Sequence, residues 1–276
     1  RPPRSTLFPY TTLFRSISTV NGRAIVEARK LEQPRVIPTF VKGDDRTEKY
    51  EGAYVGEPQR GFQDNVISFD ANSLYPSVMV TLNLSPETKV GSIVGTDKDK
   101  VYIKTVNNKD IEMTVAEFTR WCNKNEICVT RAKKLFSQKT KGIFPRITDH
   151  FYDIRKGKKA EWTEQREKLH KLETKLKQYT SQEEKKYLEE EIKKTQFKID
   201  QLWIWQFTLK ILINRIYGYF GNKISQMGDG DIARSITLTG RDVIKQSNVI
   251  LRNYIKKKTG LTDKDLERRD PIVYND

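Results

Sequence analysis

The stretch from Thr148 to Tyr217 constrains the fold more than any other part of the chain. It is dense in Lys, Glu and Gln, which keep most of their rotamer freedom in a helix, and its apolar residues fall on two seams. Trp162, Leu169, Leu172, Leu176 and Tyr179 make the first; Leu188, Ile192, Ile199, Leu202, Leu209 and Ile213 make the second. Between them, Thr180-Ser181-Gln182-Glu183-Glu184 offers a capping box, Ser181 with Glu184 or Thr180 with Glu183, that starts a new helix. The segment therefore reads as an antiparallel helical hairpin with arms of about 30 residues, roughly 45 Å each at the helical rise. Taken by itself it is equally a solvated, charged coiled coil with no chemistry.

What surrounds the hairpin is of another kind. Val20 to Phe40 is mixed, with Pro34 and Pro38 breaking any long element. Tyr50 to Gly61, YEGAYVGEPQRG, reads as loop and short strand. Asn65 to Asp70 (NVISFD) alternates and is β-prone, which predicts a strand. Ala71 to Ser77 follows as a turn, with Pro76 near the start of a helix. Gly91 to Met113 reads as short strands and turns. Thr6 to Ser16, TLFPYTTLFRS, repeats TLF and resembles the conceptual translation of a sequencing adapter, so residues 1–16 are set apart from the fold. The alternative for that stretch is a genuine β-prone N-terminal segment.

The chain has 276 residues and a formal net charge of +15. That length allows one large or two modest domains, and a balance this basic suits a polyanion, because Lys and Arg neutralise phosphates and release condensed counterions. No apolar run approaches the roughly 20 residues that span a bilayer, so nucleic acid is favoured over a membrane. Cys122 and Cys128 make no disulfide framework, and their spacing is not a usual zinc spacing. They read as ordinary reduced residues of an intracellular protein.

Two short stretches carry residues suited to chemistry. In SFDANSLYPS, Asp70 stands where a strand gives way to a tight turn, a place to hold a metal ion, and the amides of Ser73, Leu74 and Tyr75 can line that turn and meet a phosphate. A lone Asp in this position is also a common helix cap. In KILINRIYG, Lys210, Asn214 and Tyr217 share one helical face while Leu209, Ile213 and Ile216 turn to the core. A cation, an amide and an aromatic on one stripe suit a ligand with phosphates and a base, although a plain amphipathic helix shows such stripes too. On the first arm, Arg155 and Lys159 repeat the i, i+4 spacing with two cations, and antiparallel arms bring all four polar groups toward the base of the hairpin.

DxxSLYPS and KxxxNxxYG, in this order, resemble motifs A and B of family B DNA polymerases. TLNLSPETKVG and GYFGNK are most similar to the polymerases of T-even-type bacteriophages. YEGAYVGEPQRG resembles the Tyr-rich linker that joins the exonuclease region to the palm and touches the template, and DPIVYND resembles the start of motif C, Tyr-x-Asp-Thr-Asp-Ser. The resemblance implies an α/β (α+β) fold: an antiparallel palm sheet with helices, plus an antiparallel two-helix fingers hairpin. It divides the chain into linker and N-terminal palm region over 17–64, palm over 65–147, fingers over 148–222 with motif B at 210–218, and palm again over 223–276.

Residue by residue, the resemblance implies that Asp70 binds metal, with the Ala71 carbonyl as a further ligand. It makes Asp276 the first aspartate of motif C, so that Asp70 and Asp276 sit on neighbouring strands. Tyr75 resembles the steric gate against a ribose 2′-OH. Ser73, Leu74, Arg155, Lys159, Lys210 and Asn214 resemble groups around the incoming triphosphate, and Tyr217 the aromatic under the nascent base pair. Tyr50, Gly52, Ala53 and Gly218 are placed against DNA.

The implied activity is template-directed addition of deoxynucleotides to a primer 3′-OH with two Mg²⁺ ions. The implied partners are primer–template DNA, deoxynucleoside triphosphates and a sliding clamp reached through parts C-terminal of these, in the cytoplasm of an infected host. The second motif C aspartate is expected two residues past Asp276, so this stretch alone is expected to be inactive. Two positions depart from the pattern: Arg215 stands where phage relatives usually carry Ser, and Asn275 where Gly is common. The alternative from another class is a non-catalytic nucleic-acid-binding protein with a degenerate polymerase fold.

Overall fold

A computed structural model describes residues 16–30, 52–71, 73–178, 181–222, 225–268 and 270–274. The expectation for residues 1–16 therefore falls outside the described residues, apart from Ser16. The fold mixes helices with one antiparallel sheet. Helix α1 spans Ser16–Arg29 and α2 spans Leu74–Thr81. The strands are β1 (Lys89–Thr96), β2 (Lys100–Thr105) and β3 (Asp110–Thr114), followed after helix α3 (Val115–Asn125) by β4 (Ile127–Val129) and β5 (Lys134–Ser137). Helices α4 (Ile143–Gln178), α5 (Gln182–Gly221), α6 (Gly230–Thr259) and α7 (Asp263–Arg268) complete the described elements.

The sheet has the order β3-β2-β1-β5-β4, and every neighbouring pair is antiparallel. Val101, Ile103 and Leu135 are buried on one face of it, with Phe118 and Trp121 of α3 packed against the same cluster. Thr114 and Glu117 close a reciprocal capping box at the start of α3: the Glu117 N–H donates to the Thr114 hydroxyl at 3.2 Å, and the Thr114 N–H donates to the Glu117 carboxylate at 2.9 Å.

The hairpin forms as its seams predict and is longer than expected, with arms of 36 and 40 residues. Leu188, Ile199, Leu202, Leu209 and Ile213 are buried, while Trp162, Leu169, Leu172, Leu176 and Ile192 are half-buried; Tyr179 lies outside the described residues. The capping box expected of Ser181 with Glu184 does not form. Ser181 holds the cap position with extended backbone, but its side chain makes no cap bond; Glu183 and Glu184 instead place negative charge in the first turn, against the positive end of the helix dipole. Thr180 lies outside the described residues.

The main core sits at the base of the hairpin. Phe144 and Ile147 of α4, Ile216, Tyr219 and Phe220 of α5, Val78 and Met79 of α2, and Ile232, Ala233 and Ile236 of α6 are buried together. Val20, Ala24 and Ala28 of α1 join them, spaced i, i+4, i+8, so the segment read as mixed contributes a helix with a narrow buried stripe. Burial of each large side chain is worth about 1.5–3 kcal/mol. Buried Asn83 stitches this base together: its amide donates to the Ser137 carbonyl at 2.7 Å and the Thr140 carbonyl at 2.9 Å, and its carbonyl accepts from Gly142 N–H at 2.7 Å.

Asn65 to Asp70 is not a strand. The alternating pattern is present, but among the described residues no neighbouring strand supplies the hydrogen-bond ladder that a strand needs. Val66, Ile67 and Phe69 accordingly remain exposed. Asp70 is therefore not on a strand, and the expected placement of Asp276 beside it lies outside the described residues. The segment before Asp276 is bound to Gln59: Gln59 N–H donates to the Val273 carbonyl at 2.9 Å, and its side chain donates to the Asp270 and Ile272 carbonyls at 2.6 and 2.9 Å.

A partly buried ionic cluster fastens the sheet to α6. Lys89 of β1 meets Asp229 at 3.1 Å and Asp231 at 2.6 Å, and Lys134 of β5 meets Asp231 at 2.9 Å. Burial pushes the Asp231 carboxyl up, but Lys89 and Lys134 outweigh it and hold the group below its ordinary value. Burial pushes Lys89 down, and Asp229 and Asp231 outweigh that and hold it raised. Lys89→Met should cost about 2 kcal/mol in a denaturant melt, since it leaves two carboxylates without their shared cation. A depressed carboxyl contributes stability that is present above its unfolded pKa and lost as pH falls through the folded one. The stability gap between the parent and Asp231→Asn should therefore hold at neutral pH and close in acid, below the ordinary value of 3.8. A gap independent of pH would show that Asp231 acts only through its shape.

Candidate nucleotide and nucleic-acid site

A cleft of about 460 Å³ opens where α2, α5 and α6 converge. Four separated segments line it. Asp70, Ala71, Ser73, Leu74, Tyr75 and Pro76 come from the entry to α2; Lys210, Asn214 and Tyr217 come from α5; Gly240, Arg241 and Ile244 come from α6. Ala53 and Tyr54 close one side. The spacing of Lys210, Asn214 and Tyr217 along α5 explains their shared face, and Leu209, Ile213 and Ile216 on the adjoining face are buried as expected.

At the entry to α2, Ser73 is left-handed at φ 53° and its side chain makes no cap bond. The N–H groups of Leu74 and Tyr75, which begin the helix, therefore have no cap from Ser73, and first-turn N–H groups have no intrahelical partner. With Lys210 and Arg241 on the same cleft, these donors suit an anion.

Tyr75 and Tyr217 form an aromatic pair, with ring centroids 4.7 Å apart and planes tilted by 48°. The Tyr217 hydroxyl is bonded to the Thr237 hydroxyl at 2.9 Å, and Thr237 in turn donates to the Ala233 carbonyl at 2.9 Å. Burial first, and then the neighbouring Tyr217, push the Tyr75 phenol above its ordinary value. Tyr75 is thus a neutral ring at the edge of the cleft.

Other expected residues lie elsewhere. Arg155 and Lys159 do not line the cleft. Arg155 stands on α4 at about the same level as Lys210 on α5, roughly 18 and 16 Å from the base of their arms at the helical rise, and Lys159 stands about 6 Å further out. The cleft, however, is walled by α5 and not by α4. Arg155 is half-buried, with its Nε enclosed and unbonded, and Lys159 is exposed. Gly52 and Gly218 are exposed and do not line the cleft, whereas Ala53 does. Tyr50 and Asp276 lie outside the described residues. Tyr54, Thr237, Gly240, Arg241 and Ile244 were not anticipated. Their signal in the sequence is a small residue inside a long helix, Gly240, with Thr237 and Ile244 on the same face at i−3 and i+4.

Among the described residues no three His, Cys, Asp or Glu side chains come together as a metal site. Among those residues Asp70 is the one acidic residue lining the cleft. A Mg²⁺ ion commonly takes one or two carboxylates with substrate phosphates and water completing its shell, so Asp70 fits as a ligand to one nucleotide-bound ion. The described residues do not assemble a pair of ions. Cys122 and Cys128 are free thiols, both raised by burial. No helix among the described residues is long and apolar enough to cross a membrane.

A mixed fold with a long helical hairpin thus carries a cleft that offers a carboxylate, a lysine, an asparagine and paired tyrosines. The chain belongs to DNA polymerase family B, whose model matches residues 11–182 and 181–276. It is 29% identical over 233 residues to the DNA polymerase delta catalytic subunit of Candida albicans, covering 84% of this chain and 18% of that protein. It is 27% identical over 236 residues to a DNA polymerase of Archaeoglobus fulgidus, covering 81% of this chain and 23% of that protein. It is 26% identical over 251 residues to DNA polymerase 120R of Invertebrate iridescent virus 3, covering 79% and 21% respectively. The chain thus spans about a fifth of the length of the curated relatives it matches.

Proposed function

We propose that this chain is the palm and fingers segment of a DNA-directed DNA polymerase that adds deoxynucleotides to a primer 3′-OH. The convergence of the Asp70–Tyr75 stretch with Lys210, Asn214 and Tyr217 in one cleft carries this reading. In it, the hairpin serves as the fingers, and primer–template DNA and deoxynucleoside triphosphates are the substrates. The TLNLSPETKVG and GYFGNK stretches favour a phage replicative enzyme of the T-even type, working in the cytoplasm of its host with a sliding clamp.

The division of labour follows from side-chain chemistry. Lys210 supplies a point charge to the phosphates, and Asn214, one turn on, supplies an amide to the same ligand. The first-turn amides of α2 face the same anion. Tyr75 fills the volume beside the sugar, and Tyr217 offers a ring to the base pair. Asp70, joined by Asp276, would hold Mg²⁺, which when bound supplies charge stabilisation to the attacking and leaving oxygens of phosphoryl transfer.

Sugar choice tests this reading. In the full-length parent polymerase, Tyr75→Ala should raise ribonucleotide incorporation relative to deoxynucleotide by about 10²-fold, the scale on which a pocket discriminates small groups by fit. Competitive single-nucleotide incorporation on a primed template measures the ratio. Unchanged discrimination would move the gate away from Tyr75.

A further inference from the structure

Gly240 lies in the interior of α6, where glycine is destabilising relative to alanine. The local packing accounts for its presence. A Cβ at this position would stand 2.7 Å from Cε1 and 3.2 Å from Cδ1 of Tyr75, and 3.7 Å from Cδ2 of Leu74. Non-bonded carbons settle at about 3.5–4.0 Å. The Tyr75 ring and the α6 backbone therefore cannot both keep their places if residue 240 carries a side chain.

The ring has little room to retreat. Its neighbour Tyr217 is 4.7 Å away between centroids, and Tyr217 is itself held by its hydroxyl bond to Thr237, one turn before Gly240 on α6. Thr237 is fully buried. Helix α6 thus touches both rings at once, through Thr237 on Tyr217 and through the bare backbone of Gly240 on Tyr75. The direction left to a displaced Tyr75 ring is the cleft that it lines.

We propose that Gly240 is a positioning residue for sugar selection. Its missing side chain sets how far the Tyr75 ring stands back from the cleft, and so how much volume is open beside the nucleotide sugar. This rests on the assignment of Tyr75 to the sugar made above. In Gly240→Ala the ring is driven toward the cleft, and even a 2′-deoxy sugar meets it. Deoxynucleotide kcat/KM should fall by about 10²-fold, the cost of an ångström-scale misplacement in an active site, with KM rising and primer–template Kd unchanged. The effect requires the ring. Tyr75→Ala/Gly240→Ala should therefore behave as Tyr75→Ala alone, a coupling as large as the whole effect of Gly240→Ala.

The experiment is single-nucleotide incorporation by four full-length proteins: the parent, Tyr75→Ala, Gly240→Ala and the double variant. Each is measured with a deoxynucleotide and with the matching ribonucleotide. Tyr75→Ala alone reports on the sugar assignment; if it leaves the deoxy-to-ribo ratio at the parental value, that assignment falls and the role of Gly240 in sugar selection falls with it. If Tyr75→Ala does change the ratio, the cycle decides on Gly240 separately. A double variant matching Tyr75→Ala bears the proposal out; additive losses, or no loss in Gly240→Ala, overturn it. Should Gly240→Ala not accumulate as folded protein, thermal melting of the double variant decides: folding restored by removal of the ring supports the contact, and folding still absent refutes it.

Discussion

Asp70→Asn should lower primer extension by the parent polymerase by about 10³-fold, because charge stabilisation by a bound divalent ion is worth several kcal/mol and each 1.36 kcal/mol is a factor of ten. The amide keeps the shape of the carboxylate and removes its charge. Asp70 is exposed and, among the described residues, is the one acidic residue lining the cleft. For the same reason the melting temperature should stay near that of the parent, as it does for surface substitutions away from packed features. Single-turnover incorporation at saturating deoxynucleotide separates chemistry from binding. A variant extending primers at the parental rate would remove Asp70 from the reaction.

Lys210→Ala is expected to cost about 10²-fold in deoxynucleotide kcat/KM, the loss typical of removing one preorganised donor from a developing charge. Lys210 is exposed on α5, so its loss leaves no buried hole, while the base of its helix is fixed by Ile213 and Ile216. A phosphate contact that strengthens during transfer raises KM and lowers kcat together. Lys210→Arg should recover only part of the loss, because a planar fork does not place its charge where an ammonium does. Steady-state incorporation over a range of deoxynucleotide concentration resolves the two parameters, and an unchanged kcat/KM would exclude Lys210 from the site.

Two of the stretches that line the cleft were legible because their spacing is local. Lys210, Asn214 and Tyr217 need only a helix to share a face, and the seams from Trp162 to Leu176 and from Leu188 to Ile213 state that helix openly. Asn65 to Asp70 misled for the converse reason: alternation describes a segment able to join a sheet, whereas a strand exists only once a partner lies beside it. Helix α1 hid behind Pro34 and Pro38, and its buried stripe is written in two alanines and a valine, a weak apolar signal. Ser181 was in the cap position as expected, but whether its hydroxyl closes a box depends on a rotamer that sequence does not specify. Arg155 reaches the level of Lys210 and Lys159 lies about a turn beyond it, yet neither lines the cleft, since residue spacing fixes height along an arm and not which arm walls a cavity. Gly240 was silent because its meaning lies in Tyr75, far away in the chain.

The length of α5 has a mechanical consequence. Lys210 sits near the fixed base of the arm, while Gln182 at its far end is about 42 Å further along the axis at 1.5 Å per residue. A rigid rod of that span is a lever. A rotation of about 5° at the base shifts the level of Lys210 by only about 1.4 Å, yet it sweeps the tip through about 5 Å by the same geometry. Small adjustments around a nucleotide are thereby written large at the tip. A spectroscopic label near Gln182 would read events at the cleft without touching it.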